Sequence, residues 1–205
     1  MIDKEPRLAV NCYSKGEGAF MAWGQRLRAR MLGPLLEMLG GNGVRAGHVT
    51  FLSLLCGLVF CPFFIAGYPV VALVFLLLHV LLDGLDGPLA RYLGRDGARG
   101  SFTDTASDQV VVSAVTIAMV YTGMVGAWPG GCYLFLYTIV VTFAMIRNAI
   151  KVPYSWLFRP RFLVFGWIAV EVFLWPGTIN YLLWGATLLL GLKAVTGFLA
   201  IRRKL

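Results

Sequence analysis

Two stretches of this sequence, residues 49–82 and 109–146, contain no Asp, Glu, Lys or Arg. Each exceeds the ~20 residues that cross the hydrocarbon core of a bilayer. A chain of 205 residues has no water-facing fold that could bury so much apolar surface. In lipid every peptide group must be satisfied internally, which favours helices. Composition agrees: 59% of residues are hydrophobic and 14% charged, with a mean hydropathy of +0.76, whereas a soluble domain is about 45–50% apolar. The sequence therefore reads as an all-α integral membrane protein.

Turn residues divide the apolar runs. Gly67-Tyr68-Pro69 splits the first into spans at about 48–66 and 69–92, and Trp128-Pro129-Gly130-Gly131 splits the second into about 101–126 and 131–149. A fifth span, 161–175, ends at Trp175-Pro176-Gly177, and a sixth covers 178–201. Six spans place both termini on one side. All but one of the 18 basic residues fall on that side: in the N-terminal segment, in the 91–99 and 147–161 connections, and at the C-terminus. The opposite connections have none. By the positive-inside rule the basic face is cytoplasmic, as expected for a bacterial or archaeal plasma-membrane protein. This arrangement also accounts for the net charge of +8 without nucleic acid.

Phe20, Trp23, Leu27, Met31 and Leu35 recur every three or four residues, with Arg26, Arg28 and Arg30 between them. This pattern predicts an N-terminal amphipathic helix, either lying in the membrane interface or packed on the bundle. Residues 1–46 then form a cytoplasmic N-terminal segment and 47–205 a six-helix transmembrane domain. The cysteines show neither disulfide-framework nor metal-site spacing, and Cys56 and Cys61 read as small apolar residues.

Four of the ten acidic residues, Asp83, Asp86, Asp104 and Asp108, stand at the ends of two apolar spans. Carboxylates there are costly and need a reason. Asp83 and Asp86 are three apart and share a helix face, with Gly87, Ala90 and Arg91 on or beside it; Asp104 and Asp108 are four apart and share another. A short connection lets both pairs converge on the cytoplasmic side. Oxygen ligands of this kind suit Mg²⁺ or Mn²⁺, and four of them among small residues suit two ions clamping a diphosphate. Helix capping or pairing with Arg91, Arg95 and Arg99 would explain one or two acids, not four.

The segment reads Asp83-x2-Asp86-Gly87-x2-Ala90-Arg91-x8-Gly100-x3-Asp104-x3-Asp108. With every fixed position present, it resembles the motif of the CDP-alcohol phosphotransferases. That resemblance implies a six-helix enzyme of phospholipid synthesis, preceded by an amphipathic helix. Asp83, Asp86, Asp104 and Asp108 would bind two metal ions, and Asp108 would also be the general base. Gly87, Ala90 and Arg91 would contact the CDP-lipid donor, joined by the start of the first span at His48, Val49 and Thr50. The family often has a proline and a threonine there; Thr50 matches and the proline does not. The donor implied is CDP-diacylglycerol or a related CDP-lipid, and the product CMP. A homodimer is common among such relatives.

The acceptor alcohol is not written in the motif. The basic connection containing Arg147, Lys151 and Arg159, together with Lys193, points to a phosphorylated polyol such as inositol phosphate or glycerol 3-phosphate, with serine the alternative. Lys193 and Glu171 both lie inside apolar spans, and mutual pairing is the simpler expectation. His79 reads as a satisfied core histidine. Two other classes compete with the enzyme. A catalytically silent scaffold would be expected to have lost an acid, and a transporter would carry its charges nearer the membrane midplane.

Overall fold

The computed structural model describes residues 32–150, 152 and 160–204. These contain seven helices and no strand. Helix α1 occupies 32–41. It is followed by α2 (Ala46–Ile65), α3 (Pro69–Tyr92), α4 (Ala98–Tyr121), α5 (Ala127–Ala149), α6 (Pro160–Phe173) and α7 (Ile179–Arg202). Of these, α2, α3, α5 and α7 are long and apolar enough to cross a membrane. These four helices fit a multi-pass integral membrane protein.

Glycine ends α2. Gly67 adopts φ +82°, and the Tyr68 amide reaches the Phe63 carbonyl at 2.9 Å, which closes the last turn. Pro69 then opens α3, where a missing N–H costs nothing. The connection between α4 and α5 differs from the sequence expectation. Trp128-Pro129 is not a break: it lies in the first turn of α5, and the chain turns at 122–126, where Gly123 has φ +75°. The reason is the same, since a first-turn proline gives up no helical hydrogen bond.

Helix α2 packs along α3 and α4, α5 lies on α4 and α7, and α6 touches α3 and α7. The core is a band of Phe60, Leu76, Val111, Val115, Met119, Tyr133, Ile168, Leu183 and Leu190. A smaller cluster of Leu36, Val49 and Leu89 fastens α1 to α2 and α3. In its described part α1 thus packs on the bundle itself; residues 1–31, with most of the expected amphipathic stripe, lie outside the described residues. Ser53 and His79 join α2 to α3: His79 Nδ1 lies 3.1 Å from the Ser53 carbonyl, and the Ser53 hydroxyl donates to the His79 carbonyl at 3.0 Å. His79 is thus the satisfied core histidine expected. Tyr68, Tyr121, Trp128, Trp175 and Tyr181 are all exposed and all cluster at the 66–68, 122–126 and 174–178 turns, as an aromatic belt at a membrane interface would.

Gly57 sets the closest approach of α2 to α4. A Cβ there would lie 2.6 Å from both methyl groups of Val111, which is itself fully buried. Close contact of this kind replaces hydrophobic driving force between helices in lipid. Gly57→Ala is therefore expected to destabilise the protein by about 1–3 kcal/mol, the usual range for overpacking. Adding Val111→Ala should recover most of that loss. Thermal unfolding of both variants in detergent measures it, and equal destabilisation of single and double mutants would contradict the packing argument.

Candidate active site

The two acid pairs are brought level by the turn between α3 and α4. Gly94 takes φ +62°. The Arg95 amide donates to the Ala90 carbonyl at 2.9 Å and the Gly94 amide to the Arg91 carbonyl at 3.0 Å, stopping α3 at Tyr92. Helix α4 restarts at Ala98. Asp86 is six residues from the end of α3 and Asp104 six from the start of α4, so each stands ~9 Å from its helix end. Matched depth on adjoining helices lets the four side chains meet.

One carboxylate oxygen from each of Asp83, Asp104 and Asp108 lies within 4.8 Å of the others. Asp86 completes the group: its carboxyl interacts directly with that of Asp104. Asp86 is buried, and its Oδ2 accepts a 2.8 Å hydrogen bond from Thr50. Arg161, at the second position of α6, is 1% exposed and reaches in from the far side. Its Nη2 donates to Asp83 Oδ2 at 2.8 Å, and its Nη1 pairs with Asp108. Sequence reasoning placed Arg161 among the topogenic cations and missed this role. The available signal was Pro160, which marks a helix start and puts Arg161 in the first turn of that helix.

The donor set suits a hard divalent ion. With bonds of ~2.1 Å, two ligands of one Mg²⁺ are at most ~4.2 Å apart, so the three oxygens need only a small closure to share an ion. Four carboxylates also outnumber the nearby guanidinium groups, Arg161 and Arg91, and the surplus negative charge calls for a cation.

The other expected donor contacts surround this cluster. The Arg91 guanidinium lies over Gly87, with Nη1 3.5 Å from where a Cβ would stand. Ala90 is half-buried one turn from Asp86. Thr50 touches the cluster directly. His48 is exposed, and its Nδ1 accepts from the Arg45 amide at 3.4 Å at the start of α2. Val49 faces inward against Leu36 and Leu89.

On the α5 side of the acids lies a cavity of about 840 Å³. Asp104, Asp108, Arg161, Arg99, Gln109 and Asn148 give it polar walls, and Phe102, Tyr137, Val141 and Met145 apolar ones. Arg147, in the last turn of α5, precedes the lining residue Asn148 in sequence and does not itself line the cavity. Lys151 and Arg159 lie outside the described residues. Lys193 is on α7 and does not line the cavity.

The expected Lys193–Glu171 pair does not form. Glu171 instead accepts from the amides of Gly177, Thr178 and Ile179, the last at 2.8 Å, and so caps the N-terminus of α7. Lys193 is fourteen residues further along α7, ~21 Å of helical rise away. A carboxylate at a helix N-terminus meets free amides and the positive end of the dipole, which is a better partner than a distant ammonium.

The CDP-alcohol phosphatidyltransferase family model matches residues 44–196, which include the whole motif. The chain belongs to the CDP-alcohol phosphatidyltransferase family. Within it, the chain is 30% identical over 105 residues to the CDP-diacylglycerol–serine O-phosphatidyltransferases of Mycobacterium bovis and Mycobacterium tuberculosis, a match covering 50% of this chain and 37% of theirs. It is 32% identical over 108 residues to the inner membrane protein YnjF of Escherichia coli, covering 52% of each. The matches thus span little more than a third to about half the length of these relatives. Among solved structures, Mycobacterium tuberculosis phosphatidylinositol phosphate synthase (PgsA1) in complex with manganese and citrate superposes with a TM-score of 0.70 at 18% identity, covering 82% of this chain and 87% of that one. The same synthase with CDP-DAG bound gives 0.64 at 19% identity. At such identities the likeness is one of fold.

The cluster's geometry makes a direct forecast for metal binding. Asp83→Asn and Asp104→Asn should each weaken Mn²⁺ binding by at least about tenfold, the lower end even for loss of an outer-shell partner. Electron paramagnetic resonance of free Mn²⁺ over detergent-solubilised protein measures it. Wild-type affinity in both variants would show that the cluster is not the metal site.

Proposed function

We propose that the protein transfers a phosphatidyl group from a CDP-diacylglycerol-type lipid to the hydroxyl of a small polar alcohol, releasing CMP. The observation that carries this is the gathering of three of the motif's acids, Asp83, Asp104 and Asp108, into one cluster beside a cavity, with Asp86 against Asp104, in a chain of this family. The PgsA1 structures add that a protein of this fold is seen with manganese and with CDP-DAG. In our reading Asp83, Asp86, Asp104 and Asp108 hold two divalent cations, Mg²⁺ or Mn²⁺, which when bound neutralise the donor's diphosphate and make CMP a better leaving group.

The chain's own groups supply the rest. Gly87 and Ala90 keep the α3 backbone open to the nucleotide, and Arg91 and Thr50 face it. His48 stands beside them, and Val49 anchors that turn to α1 and α3. Asp108, like Asp104, borders both the cluster and the cavity, and as the last acid of the family motif it is the one we assign to accept the proton of an acceptor hydroxyl. The acceptor oxygen then bonds to the lipid-bearing phosphorus, the bond to CMP breaks, and CMP leaves with the electron pair. The lipid tails remain in the bilayer throughout.

The acceptor we favour is a phosphorylated polyol, inositol phosphate or glycerol 3-phosphate, held with the help of Arg147, Lys151, Arg159 and Lys193. Partial identity to the serine transferases keeps serine as a second reading. Release of CMP from CDP-diacylglycerol against a panel of these acceptors decides between them, and silence with every acceptor would favour a scaffold. Asp108→Asn should still bind CDP-lipid but turn over at least about 10²-fold more slowly, the lower range for loss of acid–base catalysis. A thermal-shift titration beside the CMP assay reads both, and near-normal turnover would remove Asp108 from the base role.

The same reading makes α4 and α6 spans as well, giving six. Helix α4 holds its charges in the half near Ala98 and none from 109 to 121. Residues 1–46 would form the cytoplasmic segment with its interfacial helix and 47–205 the catalytic domain, in a homodimer. The basic ends and the acids would face the cytoplasm of a bacterial or archaeal cell, with the aromatic belt opposite. Single cysteines at 96 and 204 should then react from the cytoplasmic side only, and those at 68 and 177 from the other. Labelling of position 96 from outside would overturn this orientation.

A further inference from the structure

We infer that Arg161 is an internal counter-cation that occupies the acids in the metal-free protein and gives way when a divalent ion binds. The inference rests on the reading of the four acids as a divalent-cation site.

The guanidinium lies on two of the three residues that would share an ion. It contacts Asp83 Oδ2 at 2.8 Å and Asp108 Oδ2, while oxygens of Asp83, Asp104 and Asp108 lie within 4.8 Å of one another. A cation already lodged on two ligands competes with one that needs all three. The need for it is electrostatic. Four carboxylates held in a largely buried cluster repel strongly, and without a positive partner the ends of α3 and α4 would be forced apart. Arg161 is suited to the task because its guanidinium stays charged under all ordinary conditions.

Two features mark this pairing as one of two arrangements. The Arg161 Nε is buried and has no hydrogen-bond partner among the described residues, so the group is not fully satisfied where it sits. Arg161 also forms part of the wall of the 840 Å³ cavity on the α5 side. Its long side chain, rooted in the first turn of α6, has room to turn from Asp83 into that cavity while remaining beside Asp108. Ion entry and guanidinium release are then coupled. By linkage, whatever part of Arg161's contribution to the metal-free state is lost when the ion enters is subtracted from metal affinity.

The test compares wild type, Arg161→Gln and Arg161→Lys as full-length protein in detergent. Mn²⁺ binding is measured by electron paramagnetic resonance and thermal stability is measured with and without Mn²⁺. Removing the competing cation should lower the melting temperature of the metal-free protein, tighten Mn²⁺ binding by at least about tenfold, and enlarge the Mn²⁺-induced thermal shift. Arg161→Lys, which keeps a charge but not the two-pronged geometry, should fall between, and it carries the test alone if Arg161→Gln does not fold. Unchanged or weaker Mn²⁺ binding in the variants, with wild type binding normally, would overturn the inference and leave the metal site standing. A wild type that binds no Mn²⁺ would overturn both.

Discussion

The protein is organised around holding four carboxylates together where water is scarce. Like charges so placed repel, and each neighbouring feature answers that repulsion. The turn at Gly94 stops α3 so that Asp83 and Asp86 stand level with Asp104 and Asp108. Thr50 donates to Asp86 from α2. Arg161 crosses from α6 to Asp83 and Asp108. Two other helices, α2 and α6, therefore send a hydrogen-donating or positive group to acids carried by α3 and α4. The same surplus of negative charge suits the cluster to a divalent ion.

Around this polar end the chain behaves as lipid demands. Large apolar side chains such as Phe51, Leu77, Leu188 and Phe198 point outward, while helix contacts rely on small residues such as Gly57 and Gly130. Two buried polar groups away from the site find partners across helices: His79 with Ser53, and Glu171 with the start of α7. In a medium that offers no hydrogen bonds, such pairs also fix helix register. The scaffold can thus be rigid at one end and present an open, partly polar cavity at the other.

Much of this was legible in the sequence. Uncharged runs and turn residues located the helices to within a few residues, because crossing a bilayer is a local requirement of length and hydropathy. The acids, their two shared faces and their convergence followed from helical spacing and a short connection. The break placed at Trp128-Pro129 was misread because proline stops a helix interior but not its first turn. The Glu171–Lys193 pair was misread because depth in a membrane says how far a charge lies from the surface, not which neighbour it meets.

The sequence by itself determined the acids, their spacing, the helices that carry them and the apolar faces turned to lipid, since each depends on residues within a few turns of one another. Only the tertiary structure decided that Arg161, 78 positions beyond Asp83, is the cation that meets it. It alone also decided that Thr50 braces Asp86 across 36 positions, and that the cavity opens on the α5 side of the acids. The physical reason is that partners so far apart in the chain are chosen by how the helices pack, and packing is a property of all of them together.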